Sequence, residues 1–168
     1  MRRSIRSSVF RSMLVAGACA ATAVPALAEQ SDTSGRNAAL VRQVFDSWAA
    51  GGSVFDPLLA PDVRWTINGS GSLAGTCEGR DSFLEDASLS LVSRLSSPVV
   101  PDVHAIWAVE DTAIVRFDGS ATTTSGATCE NQFVWIFRLE DERFVEAEVF
   151  LDLAAYQEVV ENNEPVTD

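Results

Sequence analysis

Residues 99–151 read VVPDVHAIWAVEDTAIVRFDGSATTTSGATCENQFVWIFRLEDERFVEAEVFL, and this stretch decides the fold. Apolar and polar side chains alternate through 99–109, 112–123, 130–140 and 143–151, the period of a pleated strand with one buried face. Turn-forming pairs separate the four runs: Glu110-Asp111, Ser125-Gly126 and Asp141-Glu142. Two of these joins are short enough to force antiparallel hairpins. The segment therefore reads as a meander of four long strands.

Toward the N-terminus the period changes. Residues 80–95 set Phe83, Leu84, Ala87, Leu91, Val92 and Leu95 on one face of a helix. Residues 69–79 are rich in turn formers, with a short hairpin strand through Leu73–Cys77. Val63, Trp65 and Ile67 alternate with Arg64, Thr66 and Asn68, which predicts a strand. Residues 53–60 read as a short helix, with Ser53 as N-cap and Pro61 as its end. Leu40, Val41, Val44, Phe45 and Trp48 form the stripe of an amphipathic helix, stopped by Gly51-Gly52. Beyond the meander, Leu153–Glu161 predicts a helical tail, and residues 162–168 read as disordered. Helices that precede a meander indicate an α+β fold. The architecture expected is a cone-shaped α+β barrel, a strongly curved and mostly antiparallel sheet packed on three helices of the N-terminal half. Such a cone has an apolar base and an open mouth, a place where small-molecule pockets form.

Composition narrows the function. Residues 2–11 carry four Arg and no acid, residues 13–28 are nearly all apolar or small, and Ala26-Leu27-Ala28 has the form of a signal-peptidase site. Residues 1–28 are therefore read as a secretory signal peptide, 29–36 as a flexible leader and 37–161 as the single domain. The expected product is a bacterial periplasmic or secreted protein, cut after Ala28. Cleavage leaves 140 residues, with eight Arg against 24 acids, a net charge of −16. That balance excludes nucleic acid as a partner, because binding to phosphates needs clustered cations. No apolar run after residue 28 approaches the roughly 20 residues of a membrane span. There is no Lys, which excludes Schiff-base and P-loop chemistry. The one His excludes a multi-His metal site, and nothing calls for a cofactor. Chemistry, if any, falls to carboxylates, Arg, Asn, indoles and hydroxyls.

Several runs resemble a known family. FDSWAAGGSVFDPLLAPDVRWTINGSGSLAGTCEGRDSF in the first half is similar to SnoaL-like proteins of the nuclear-transport-factor-2-like superfamily. So are EDTAIVRFDGSATTTSGATCENQFVWIFRLED and FVEAEVFLDLAAY in the second, so that the resemblance spans about residues 37–157. It implies the cone fold, homodimers built on the outer sheet face, and a small hydrophobic or polyketide-like ligand. Relatives include ketosteroid isomerases, scytalone dehydratase, limonene epoxide hydrolase and polyketide cyclases, beside non-catalytic binding domains. The first of these needs a Tyr on the first helix, and residues 37–50 hold none. Limonene epoxide hydrolase is matched better. Its Asn, its Arg-x-Asp and its last-strand Asp correspond to Asn68, Arg116 with Asp118, and Asp152. The Tyr expected two residues before that Asn is replaced by Thr66.

These residues carry two readings each. Arg116, Asp118 and Ser120 share one strand face and Val115, Phe117, Gly119 and Ala121 the other. In the resembling family the Arg/Asp face looks into the cone, where Asp118 and Asp152 would share Arg116 and split their pKa values for acid/base catalysis. The bland alternative is an outer ion pair. Asp152 also suits the N-cap of the helical tail, and Asn68-Gly69 is a turn signal. Trp65, Trp135 and His104 are candidate ligand contacts or ordinary core and strand residues. Cys77 and Cys129 lie in parallel Thr-Cys-Glu contexts; export favours a disulfide between them, against two separate buried thiols.

Overall fold

The computed structural model describes residues 24–53 and 58–166. Residues 1–23 of the expected signal peptide lie outside the described residues, as do 54–57 of the helix expected at 53–60 and the last two residues. The chain runs α1 (Val24–Ala49), β1 (Leu59–Ile67), β2 (Gly75–Glu78), α2 (Arg80–Ser82), a π-helical turn (Phe83–Ser88), α3 (Leu89–Val92), β3 (Val100–Val109), β4 (Thr112–Thr122), β5 (Thr128–Glu140), β6 (Arg143–Leu151) and α4 (Leu153–Asn162). All six strands join one sheet in the order β2-β1-β6-β5-β4-β3. Every neighbouring pair is antiparallel except β1 and β6, which run parallel. The α+β reading and the four-stranded meander hold.

Helix α1 forms for the expected reason. Val41, Val44 and Phe45 are buried on one face, and the helix packs on β3 and β4. It ends in a Schellman arrangement: Gly52 N–H donates to Ser47 O at 2.8 Å and Gly51 N–H to Trp48 O at 2.9 Å, with Gly51 at φ +93°. The helix begins earlier than expected. Residues 29–36, read as a loose leader, are helical, and their C-terminal part is tied to the β3–β4 turn. Ser34 Oγ accepts from Glu110 N–H at 2.9 Å, and Asn37 Nδ2 donates to Glu110 O at 2.7 Å. The tail also makes contacts: Val166 N–H donates to Ser93 O, and Thr124 Oγ1 to Glu164 O.

Two helical expectations change. Leu59 and Ala60 belong to β1, because Leu59 pairs with Phe144 and both are buried. A register shift between Leu59 and Arg64 accommodates Pro61, whose missing N–H would break a regular ladder. The helix of 80–95 is interrupted by the π turn at Phe83–Ser88. Val92 on α3 is 52% exposed.

The core fills the concave side of the sheet. Phe45, Phe117, Phe137 and Phe144 are fully buried there, under α1 and the helical segment after β2. Phe117 stacks on Phe133, with centroids 4.7 Å apart and planes at 11°, and meets Phe45 and Trp135 edge-on. Gly119 makes that stack possible: a Cβ there would meet the Phe133 ring at 2.9 Å.

Candidate functional site

The concave side leaves a cavity of about 280 Å³ near the ends of β1, β5 and β6. Trp48 of α1, Trp65 of β1 and Trp135 of β5 form its aromatic wall, with Phe83 and Phe133 beside them. Trp48 and Trp135 stack at 5.7 Å and 17°, and Trp65 stacks on Phe83 at 4.0 Å and 26°. Leu91, Val99, Val149 and Leu151 add aliphatic surface. The polar contributions come from Ser53, Ser88 and Tyr156. Among the described residues no carboxylate, Arg or His lines this space. Uncharged walls of this kind suit an uncharged ligand, since an unpaired charge brought here would lose its hydration with nothing to replace it.

Two of the expected ligand contacts, Trp65 and Trp135, therefore line the cavity. Trp48, Phe83, Phe133 and Tyr156 line it too, and no sequence motif marks them as site residues. Tyr156 was legible in one respect: it is the chain's only Tyr, and its spacing from Val159 marks the buried face of α4.

The expected catalytic group lies elsewhere. Val115 and Phe117 are 0% exposed, so β4 turns its apolar face inward and Arg116, Asp118 and Ser120 outward. The expectation that Arg116 and Asp118 look into the cone is corrected by the physical ground that decides such cases. The apolar side chains gain most from leaving water, and the guanidinium keeps its hydration outside. On the outer face Arg116 Nη1 donates to Asp118 Oδ1 and to Phe117 O, each at 2.6 Å. His104, expected as a ligand contact, joins them at a β-bulge in β3, its Nε2 2.8 Å from Asp118 Oδ2. The Arg116 hydrogen bond, then that of His104, holds the Asp118 carboxyl below its ordinary range.

Asp152 is also on the outer parity of β6. Its Oδ1 accepts from Ala154 N–H at 3.0 Å and Ala155 N–H at 3.2 Å, the N-cap of α4. It does share an outer groove with Asp118, beside Asp102 and Glu130. Among the described residues no group of three or more His, Cys, Asp and Glu side chains is placed to hold a metal ion. Asn68, expected at the cavity, sits past the end of β1. Its N–H donates to Val149 O, and its side chain faces Glu148 in an open groove beside α4.

The disulfide is also corrected. Cys77 and Cys129 are both free thiols. Cys77 lies on β2 at the sheet edge, three strands from β5, and Cys129 lies at the far end of β5 from the Trp135–Phe137 region that β6 faces. A bond needs Cα atoms within about 7 Å, less than two strand spacings. Burial raises the pKa of each thiol.

The model of the SnoaL-like domain matches residues 41–147. The chain belongs to the SnoaL-like domain family. A comparison with curated proteins gives no match. Solved structures show the same fold. An NTF2-like protein of unknown function from Burkholderia pseudomallei K96243 is 23% identical, with a TM-score of 0.62 over 74% of this chain and 96% of that one. A Jannaschia sp. CCS1 protein assigned as a SnoaL-like polyketide cyclase is 18% identical, with a TM-score of 0.62 over 79% and 96%. TerC, co-crystallised with polyporic acid, is 19% identical, with a TM-score of 0.60 over 74% and 98%. In this SnoaL-like chain, among the described residues, no helix is long and apolar enough to cross a membrane.

Proposed function

We propose that the protein binds an uncharged, largely aromatic small molecule in the cone, and that it does so as a binding domain without Asp-based proton transfer. The observation that carries this reading is the cavity wall: three indoles, two phenyl rings and aliphatic side chains, with no charged group among the described residues. The solved relatives assigned to polyketide cyclisation or crystallised with polyporic acid make a polycyclic or polyketide-like ligand the first class to try. Three of the four Trp line the cavity, so quenching of intrinsic fluorescence reports occupancy directly. Titration with uncharged polycyclic compounds should quench; their carboxylated analogues should not. The rival reading gives Asp118, Asp152 and Arg116 the acid/base work. Asp118→Asn and Asp152→Asn should bind as the parent does, and loss of binding or turnover in either would restore that rival.

We further propose export, with cleavage after Ala28. This would remove only the first residues of α1 and keep the Ser34 and Asn37 contacts. Mass spectrometry of the secreted protein should find Glu29 at the N-terminus, and an intact Met1 would reject it.

The outer sheet face supports the homodimer. Trp107 is 55% and Phe150 41% exposed. Trp107 shares a cross-strand row with Ile114 and Ile136 that ends on Glu148, and Phe150 shares one with Val134 that ends on Arg116 of β4, so the apolar strip runs diagonally across β3–β6 between charged residues. A second copy can cover that strip on the same strip of its own. Sedimentation should give a dimer, and Trp107→Glu a monomer.

A further inference from the structure

One polar spot in the cavity wall is a closed triangle, built on the only phenol among the lining residues. Tyr156 is buried on α4 and lines the cavity. Its hydroxyl lies 2.8 Å from Ser90 Oγ and 3.0 Å from Ala87 O, to which it donates. Ser90 Oγ donates to the same carbonyl at 2.7 Å. Ala87 itself lines the cavity, on the π turn that sets its carbonyl toward α4.

The proton inventory of this triangle decides what it can offer. It holds two hydroxyl hydrogens, and both find acceptors inside it: the Ala87 carbonyl, or the neighbouring hydroxyl oxygen. A phenol oxygen has two lone pairs, and the triangle supplies at most one hydrogen to them. With both hydrogens engaged inside the triangle the Tyr156 oxygen keeps a lone pair to spare, and it can donate to anything else only by giving up its bond to Ala87 O or Ser90 Oγ. Burial raises the phenol pKa, against the Ser90 hydrogen bond and the nearby Arg94. The group is therefore a neutral phenol, an acceptor rather than an anion.

We infer that Tyr156, held by Ser90 and the Ala87 carbonyl, is the specificity-determining contact of the cavity and selects ligands that present a hydrogen-bond donor, a hydroxyl or N–H, on an otherwise apolar ring system. This rests on the cavity reading above and deepens it. A ligand donor at this place adds a hydrogen bond to those of the triangle, whereas a ligand carbonyl or ether gains one only in exchange for the Tyr156 bond inside it.

A matched pair of probes tests it by tryptophan fluorescence: 2-naphthol, which donates, and 2-methoxynaphthalene, which has the same ring system and cannot. The parent should bind 2-naphthol more tightly by about five-fold, the worth of one net hydrogen bond. Tyr156→Phe should erase that ratio. Ser90→Ala should keep it, because Tyr156 still donates to Ala87 O. Equal affinities in the parent, or a ratio that survives in Tyr156→Phe, would overturn the inference while leaving the cavity reading intact. Binding of neither probe would overturn both. The parent measurement stands alone if Tyr156→Phe fails to fold.

Discussion

The two faces of β4 are one residue apart in sequence and opposite in character. Val115 and Phe117 are sealed in the core, while Arg116 and Asp118 keep 29% and 41% of their side-chain surface exposed. The contrast runs across the sheet. Inside, β5 presents Phe133, Trp135 and Phe137. Outside, Arg138 pairs with Glu146 and Glu140, and Arg64 with Glu78 and Glu146. Chemically versatile side chains thus collect on the outer face, where Asp118 and Asp152 border a polar groove with Asp102 and Glu130. The concave cavity is lined by indoles, phenyl rings, aliphatic side chains and hydroxyls.

Perturbing the inner face should produce the largest effects. Phe117→Ala deletes a ring that touches Phe45, Phe133 and Trp135. It should cost about 3–5 kcal/mol, read as a lower denaturation midpoint. Ala87→Phe should be milder for folding, since the added ring enters the cavity rather than the packed core. It should remove most ligand-induced quenching, and retained quenching would break the link between cavity and binding.

The outer face should answer more quietly. Asp118→Asn loses partners that are largely solvated, so its effect on stability should be small and on ligand affinity nil. Its pH dependence sharpens the comparison. The folded-state pKa of Asp118 is depressed, so its contribution is present above the ordinary Asp value of about 3.9 and is lost as pH falls through the lower folded value. Melting curves of parent and variant should differ by a constant amount near neutrality and converge in acid. A gap that widened in acid would mean that the pair is not as described.

The smallest effect concerns the thiols. Under oxidising conditions Cys77 and Cys129 should both titrate, slowly at neutral pH because burial raises their pKa values. Cys77→Ser should leave the reactivity of Cys129 unchanged.

Much of this was legible in the residues. The meander strands lie within two residues of the alternating runs at both ends, because a half-buried strand writes its period directly into the sequence. Gly51 announced the end of α1, and Asp152 the start of α4, through local backbone chemistry that needs no distant partner. The π turn at Phe83–Ser88 was not legible: its apolar residues recur closely enough to suit an α-helix, and only packing on Trp65 and α4 shows the wider turn. The β1 start at Leu59 was hidden for the same reason, since pairing with Phe144, some 85 residues away, overrides the local pattern.

The site divides along the same line. Trp65 and Trp135 could be named in advance as large aromatic side chains with a core or a ligand-facing role, and the fold put them on the cavity wall. By itself the sequence determined the fold class, the strand periods, the helix ends and the absence of Lys and of a His cluster. Only the tertiary structure decided which side is inside where both parities are apolar, as on β5 with Val134 and Ile136 against Phe133, Trp135 and Phe137. Alternation has a period of two and by itself does not choose between two such faces. The choice is made by the direction in which the sheet curves and by the helices that cover one side of it. Both depend on contacts between residues far apart in the chain, and those contacts place Arg116, Asp118, Asp152 and His104 outside and Tyr156 within.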